Sequence, residues 1–195
     1  MDKEWLIQFM RPQLGVPDST LAYLADQFEE RSLPKHELFL EAGQVCDKAL
    51  MLSEGVMRAF TLDTDNDEVT TAFFTPNQLV VEPMSFYKRQ PAAESIQAIT
   101  DCRGLTISFE RLNTQFHAIP QVREFSRSLL VSGFFALKVR NLTMINQTAE
   151  QRYENFMHNH KDVMQHAPLK QIASYLGITD TSLSRIRRDL ARKHQ

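Results

Sequence analysis

Residues 169–188 read LKQIASYLGITDTSLSRIRR. Ile172, Ala173, Leu176, Ile178, Leu183 and Ile186 are spaced so that two short helices can share one apolar seam, with Leu169 at its start. Ala173 is small where a second helix must cross closely, and Gly177 permits the left-handed backbone of a tight turn. Thr179 is placed to cap the second helix, and Asp180 suits the positive end of its dipole. This spacing predicts a helix-turn-helix. At about 100° per residue, Thr181, Arg185, Arg188 and Arg192 lie opposite the Leu183–Ile186–Leu190 seam. An arginine on such a face can donate two hydrogen bonds to guanine in a major groove. Thr179, Thr181 and Ser182 stand at the end of the helix that would enter the groove, while Lys170 and Arg187 lie to the sides, where phosphates would be. A solvated helical hairpin is the plain alternative, and the basic strip weighs against it.

Charge along the chain supports the same division. The net charge of −2 conceals 12 Lys/Arg against 19 Asp/Glu in residues 1–137, and 10 against 5 in residues 138–195. An acidic body with a basic tail implies that only the tail meets a polyanion.

Working toward the N-terminus, residues 122–147 contain no proline and one glycine, Gly133, so a long helix is predicted. Leu130, Phe134, Leu137, Asn141 and Met144 form one seam, and Leu129, Ser132, Ala136 and Val139 a second. One seam is expected to pack on the body and the other on a second copy, giving a homodimer; a helix buried wholly in the monomer is the alternative. Thr148-Ala149-Glu150-Gln151 is a capping-box pattern that starts a further helix. From about Leu33 to Phe109, short apolar runs alternate with turn-formers, and Leu105, Ile107 and Phe109 alternate with Thr106 and Ser108. That texture predicts a β-barrel or roll. Before it, Leu21, Leu24, Ala25 and Phe28 mark a helix that Asp18 or Ser19 can cap.

The fold class is therefore α+β: a sensor-like β-roll over 1–121, a central helix over 122–147 and a helix-turn-helix unit over 148–195. The 195 residues, 43% apolar and 24% charged, suffice for such cores. No apolar run approaches the ~18 residues that span a bilayer, and the N-terminus lacks a signal-peptide pattern, so a cytoplasmic protein without a membrane partner is expected. Cys46 and Cys102 are isolated and read as reduced thiols. Asp63, Asp65 and Asp67 lack the glycine of a calcium loop, and His158, His160 and His166 fit no common zinc spacing, so no metal is expected. No paired-carboxylate or nucleophile arrangement marks an enzyme.

A β-rich N-terminal half, a long helix and a C-terminal helix-turn-helix together resemble the Crp/Fnr (catabolite-activator) family of bacterial transcription regulators. Pro168–Arg188 and the glycine-bearing turns Glu41-Ala42-Gly43-Gln44 and Ser53-Glu54-Gly55-Val56-Met57-Arg58 carry the likeness. It implies a double-stranded β-roll like a cyclic-nucleotide-binding domain, a dimerisation helix and a winged DNA-binding domain on a near-palindromic operator. RNA polymerase and a small-molecule effector are the further partners it implies. The family's phosphate cassette is a Gly-Glu followed about ten residues later by Arg-Ser/Thr-Ala. The matching stretch here runs from Val81-Glu82-Pro83-Met84 to Ala93-Glu94-Ser95, which makes Glu82, Met84, Ser85, Glu94 and Ser95 the pocket candidates. Glu94 stands where the arginine would pair with the phosphate, and a carboxylate there repels it, so cyclic AMP binding is not expected. The sequence read here reaches Gln195 soon after the second helix, which leaves little room for a wing. No cofactor is expected, since iron–sulfur members need clustered cysteines. The other reading is a ligand-binding sensor whose helical C-terminal module binds protein rather than DNA.

Overall fold

The structure is a computed structural model describing residues 3–193. Two N-terminal helices, α1 (Glu4–Leu14) and α2 (Asp18–Asp26), precede eight strands: β1 (Glu29–Leu33), β2 (Leu38–Leu40), β3 (Lys48–Glu54), β4 (Met57–Leu62), β5 (Glu68–Phe74), β6 (Leu79–Val80), β7 (Ser95–Ala98) and β8 (Cys102–Ser108). The short helix α3 (Pro83–Lys88) lies between β6 and β7. Then follow α4 (Phe109–Ala118), α5 (Pro120–Asn146), α6 (Ala149–Asn159), α7 (Lys161–His166), α8 (Leu169–Tyr175) and α9 (Asp180–Lys193).

The strands form two antiparallel four-stranded sheets, β1-β8-β3-β6 and β2-β7-β4-β5. Leu50, Leu52, Met57, Val80, Ile96 and Ala98 fill the space between them, so that in β3 Leu50 and Leu52 point inward while Met51 between them points outward. The β4–β5 hairpin closes through Asp63, whose carboxylate accepts from the backbone N–H groups of Asp65 (2.9 Å) and Asp67 (3.0 Å). The acidic run is thus a turn built on a side-chain acceptor.

Opposite the roll's interior, Met51 and Leu105 point outward and are covered by Leu6, Met10, Leu21 and Leu24 of α1 and α2. The periodicity reading gave one helix here, and the structure has two, because α1 ends at Gly15 with φ 60° and the chain turns. Asp18 and Ser19 do not cap α2. They lie in its first turn, Pro17 occupies the cap position, and no side chain accepts from the helix there. Phe109 likewise leaves the strand: Ser108 accepts from Arg111 N at 3.3 Å and starts α4 instead.

The central helix runs Pro120–Asn146 rather than 122–147, since a proline suits its first turn. The expectation that one seam packs on the roll does not hold. Only Val122 and Ser126 are buried, and both seams beyond them are exposed, Phe134 at 65% and Leu137 at 67%. The helix leaves the roll after two turns and touches it again through Arg140. Helix α5 is also long and apolar enough to cross a membrane, with Lys138 and Arg140 its only charges from Ser128 to Ile145. This departs from the sequence expectation because small polar residues such as Ser128, Ser132 and Thr143 interrupt the apolar run without adding charge.

α6 begins at a complete capping box: Gln151 N donates to Thr148 Oγ1 at 3.2 Å, and Thr148 N to Gln151 Oε1 at 3.0 Å. Tyr153, Phe156, Val163, Ile172, Leu176, Leu183 and Leu190 then form a second, mostly helical core, which Val56 and Ile99 of the roll also enter.

In β8, Gly104 lies against β3 so closely that a Cβ would sit 2.4 Å from Met51 O and 2.6 Å from Leu50 Cδ1. Backbone cannot yield as a side-chain tip does. Gly104→Ala should lower unfolding stability by about 1–3 kcal/mol, measured by urea denaturation at constant m-value.

Candidate functional site

The α8–turn–α9 unit has the predicted geometry. Ile172, Ala173, Leu176 and Leu183 are buried, with Ile178 and Ile186 half-buried beside them. Gly177 takes φ 67°, and the turn is closed by Ile178 N donating to Ala173 O at 3.1 Å. Thr179 Oγ1 accepts from Ser182 N at 3.2 Å and contacts the hydroxyls of Thr181 (2.9 Å) and Ser182 (3.0 Å). Ser182 is half-buried, while Thr179 and Thr181 are exposed. Arg185, Arg187, Arg188 and Arg192 are all exposed, on a helix whose buried side is Leu183 and Leu190.

Lys170 is exposed too, but its ammonium is paired to Asp67 of the β4–β5 turn at 3.2 Å, which raises its pKa. The pair belongs to a wider seat in which α8 lies along β5. Thr70 N donates to Ser174 Oγ at 3.1 Å, and the rings of Phe73 and Tyr175 meet at 5.2 Å. Covering β5 in this way shields an edge strand.

Two arginines that the periodicity reading passed over complete the seat. Arg140 of α5 donates to Thr71 O of β5 and, at 3.1 Å, to Tyr175 O of α8, with its guanidinium 4.2 Å from the Tyr175 ring centre. Arg152 of α6 donates to Leu176 O at 3.1 Å and Gln147 O at 2.8 Å. Both cations therefore meet carbonyls at the C-terminal end of α8, where the helix leaves acceptors open. The available signal is that Arg140 and Lys138 are the only charged residues from Ser128 to Ala149.

The pocket candidates lie on the β6–α3–β7 segment. Glu82 is 9% exposed and caps α3, accepting from Met84 N at 3.2 Å and Ser85 N at 2.6 Å. Ser85 Oγ donates to Gln90 O at 2.5 Å and accepts from Cys46 N at 2.8 Å; Ser95 Oγ accepts from Ala42 N at 3.0 Å. These groups hold the segment to the β2–β3 connection. Met84 is half exposed at the surface. Glu94 is half-buried, and its pKa is raised first by desolvation and further by the neighbouring Glu82, against the opposing pull of the Thr71 hydroxyl and Arg140. The structure so brings Glu82 and Glu94 together, with Arg140 beside Glu94. The roll's buried arginine, Arg58, pairs with Glu68 and donates to Gln97 Oε1 at 2.9 Å, so it is not offered to a ligand phosphate. Cys46 and Cys102 are buried, and desolvation pushes both thiols up. The His160 ring lies against Phe156 in a tilted pair with ring centres 4.7 Å apart, and burial lowers its pKa.

Residues 30–118 match the cyclic nucleotide-binding domain family. The transcriptional activator protein Anr of Pseudomonas protegens is 25% identical over 130 residues, 66% of this chain and 52% of that protein. The anaerobic regulatory protein of Haemophilus influenzae is 22% identical over 191 residues, 89% of this chain and 73% of that protein. FixK2 from Bradyrhizobium japonicum has a TM-score of 0.75 at 17% identity, covering 86% of each chain. The chain resembles the Crp/Fnr family. The likeness to the solved structure establishes the Crp/Fnr fold, a cyclic-nucleotide-binding-type roll followed by a long helix and a helix-turn-helix. The chain spans about half the length of Anr and about three-quarters of the Haemophilus protein.

Glu94 gives a pH prediction with a definite sign. Its folded pKa is raised, so the native state holds a proton that the unfolded chain has lost, and stability falls as pH rises through that window. Glu94→Gln should melt higher than the parent at pH 7, and the gap should close as pH drops below the carboxylate range. Parallel thermal melts from pH 4 to 8 measure this.

Proposed function

We propose that this chain is a transcription regulator of the Crp/Fnr type that binds duplex DNA as a homodimer. The observation that carries this reading is the exposed arginine strip of α9, opposite a buried Leu183–Leu190 seam on a capped helix of a helix-turn-helix. Three guanidiniums, of Arg185, Arg188 and Arg192, on one face of a 14-residue helix, with Arg187 at its side, form a polyanion-binding surface, and Arg185, one turn from the helix start, reaches base edges when that end enters the major groove.

The bare apolar surface of α5 supports the dimer. Leu130, Phe134, Leu137 and Ile145 are 47%, 65%, 67% and 71% exposed in the single chain, large apolar side chains along one helix of the kind that marks an interaction surface. A second copy of α5 supplies a matching apolar surface, and a two-fold pair of helix-turn-helix units calls for a near-palindromic operator. The β6–α3–β7 segment supports an effector other than a cyclic nucleotide. Glu82 and Glu94 repel a phosphate, so an uncharged or cationic ligand suits them better.

Selection of bound sequences from a random duplex pool tests the reading as a whole. Arg185→Ala should cost about 1–3 kcal/mol per half-site and relax the preference at one base pair. Lys170→Ala should weaken all sequences alike and flatten the dependence of log affinity on log salt by about one unit. Because Lys170 is already paired with Asp67, Asp67→Asn should act in the opposite direction, raising affinity for any duplex slightly at low salt. A folded Arg185→Ala protein with unchanged affinity and base preference would move the recognition surface elsewhere.

A further inference from the structure

In the exposed stretch of α5, Leu130, Phe134, Leu137, Asn141 and Met144 follow one another at intervals of four, three, four and three residues. That alternation is the heptad of a coiled coil, with Leu130, Leu137 and Met144 at the d positions and Phe134 and Asn141 at the a positions. All five are exposed in the single chain, and Val131 and Ile145 flank them at e. At roughly 100 Å² of apolar surface for each of these six apolar side chains, two copies bury on the order of 1,200 Å², enough for a stable interface.

Asn141 is the one polar residue of that seam. Among the described residues, nothing in its own chain is hydrogen-bonded to its side-chain amide. Water serves the amide in the single chain, and a second helix packed on the seam removes that water. Two antiparallel helices set a against d, so Asn141 would face a leucine or methionine. Two parallel helices slipped by one heptad would set it against Phe134. Either arrangement buries an amide without a partner, at a cost. Only the parallel, in-register pair sets Asn141 against Asn141 of the second copy, where one amide N–H donates to the other amide oxygen. A rival stripe on the same helix, Val131, Phe135, Leu142 and Ile145, has the same spacing but includes Lys138, whose charge opposes burial.

Resting on the homodimer reading above, we propose that Asn141 sets the orientation and register of the α5 pair: parallel, with Asn141 of each copy hydrogen-bonded to Asn141 of the other. An asparagine at a single a position gives up stability for a unique pairing. Its place on the helix is what makes the pairing matter. Arg140, one residue before it, donates to Tyr175 O at the end of α8. Met144, the next seam residue, lies over the helix-turn-helix, where a Cβ on Gly177 would sit 2.6 Å from Met144 Cε. Register is therefore fixed at the level where α5 carries the DNA-reading unit. A slip of one heptad would displace one copy by about 10 Å along the helix, and the two α9 helices would lose the two-fold relation that a near-palindrome requires.

The experiment is disulfide trapping in the full chain, whose native Cys46 and Cys102 are buried. Under mild oxidation Asn141→Cys is expected to give a covalent homodimer, and Leu142→Cys, beside the seam, at least about fivefold less of it. If Asn141→Cys does not fold, the homodisulfide of Phe134→Cys reads the same register. Asn141→Cys mixed before oxidation with Phe134→Cys, or with Leu137→Cys, should give mainly homodisulfides. A predominant mixed disulfide with Phe134→Cys means a slipped pair, and one with Leu137→Cys an antiparallel pair; either overturns the proposal, as does preferential trapping through Leu142→Cys. Asn141→Leu should dimerise roughly tenfold more tightly by sedimentation, while homodisulfide formation through an added Phe134→Cys falls by about half or more as other pairings appear. Unchanged trapping in a folded Asn141→Leu background overturns the proposal too. Sedimentation of the parent separates the two levels: a monomer defeats the homodimer reading and this inference with it, whereas a dimer with the wrong disulfide defeats the register alone.

Discussion

The guanidinium of Arg140 is the contact through which the three parts of this molecule meet. It projects from α5, donates to a carbonyl of β5 in the roll and to the last carbonyl of α8, and lies against the Tyr175 ring. Arginine is the residue suited to this task. Its planar fork satisfies two acceptors at once and its faces stack on an aromatic ring, neither of which a lysine does. Helix ends leave carbonyls without partners, and Arg140 and Arg152 close two of them for α8. With that end held, the helix-turn-helix is seated on β5 through Ser174 and Tyr175, and on the β4–β5 turn through Lys170, rather than hanging from α6 alone.

How much of this was legible in the sequence depends on the range of the interaction. The helix-turn-helix was legible because its signals are local: Ala173, Gly177 and Thr179 each meet a backbone requirement within a few residues. The capping box at Thr148 was legible for the same reason. The two-sheet roll was legible as a texture of short strands and turns, but not in its pairing, since nothing local places β8 between β1 and β3. Helix α1 is not legible because its apolar residues, Leu6, Met10 and Leu14, pack on Met51 and Leu105 on the outside of a sheet, residues that come 37 or more positions later in the chain. The seams of α5 were read correctly as apolar. Their burial was not, because periodicity reports which residues share a face and not what lies opposite that face.

The candidate sites divide along the same line. The arginine strip of α9 follows from helical geometry alone and is exposed as the sequence implies. Glu82, Ser85 and Ser95 were legible only as a resemblance to a cassette. Their actual partners, backbone groups of Met84, Gln90, Cys46 and Ala42, come from segments far apart in the chain. A side chain already bonded on both sides has little left to offer a ligand, and this bears on pocket chemistry as much as the charge at Glu94 does. Arg140 and Arg152 matter only through tertiary contacts, so no spacing rule could have found them.

The separation of charge between the acidic roll and the basic C-terminal end makes the molecule an electric dipole. Near any polyanion the two ends experience opposite forces, which amount to a torque, and the protein turns α9 forward before a single hydrogen bond forms. The torque acts only within about 8 Å of the surface at physiological ionic strength, so it adds little to capture from a distance. Its effect is on the fraction of collisions that arrive with the correct face leading, a kinetic selection that the roll exerts by being repelled.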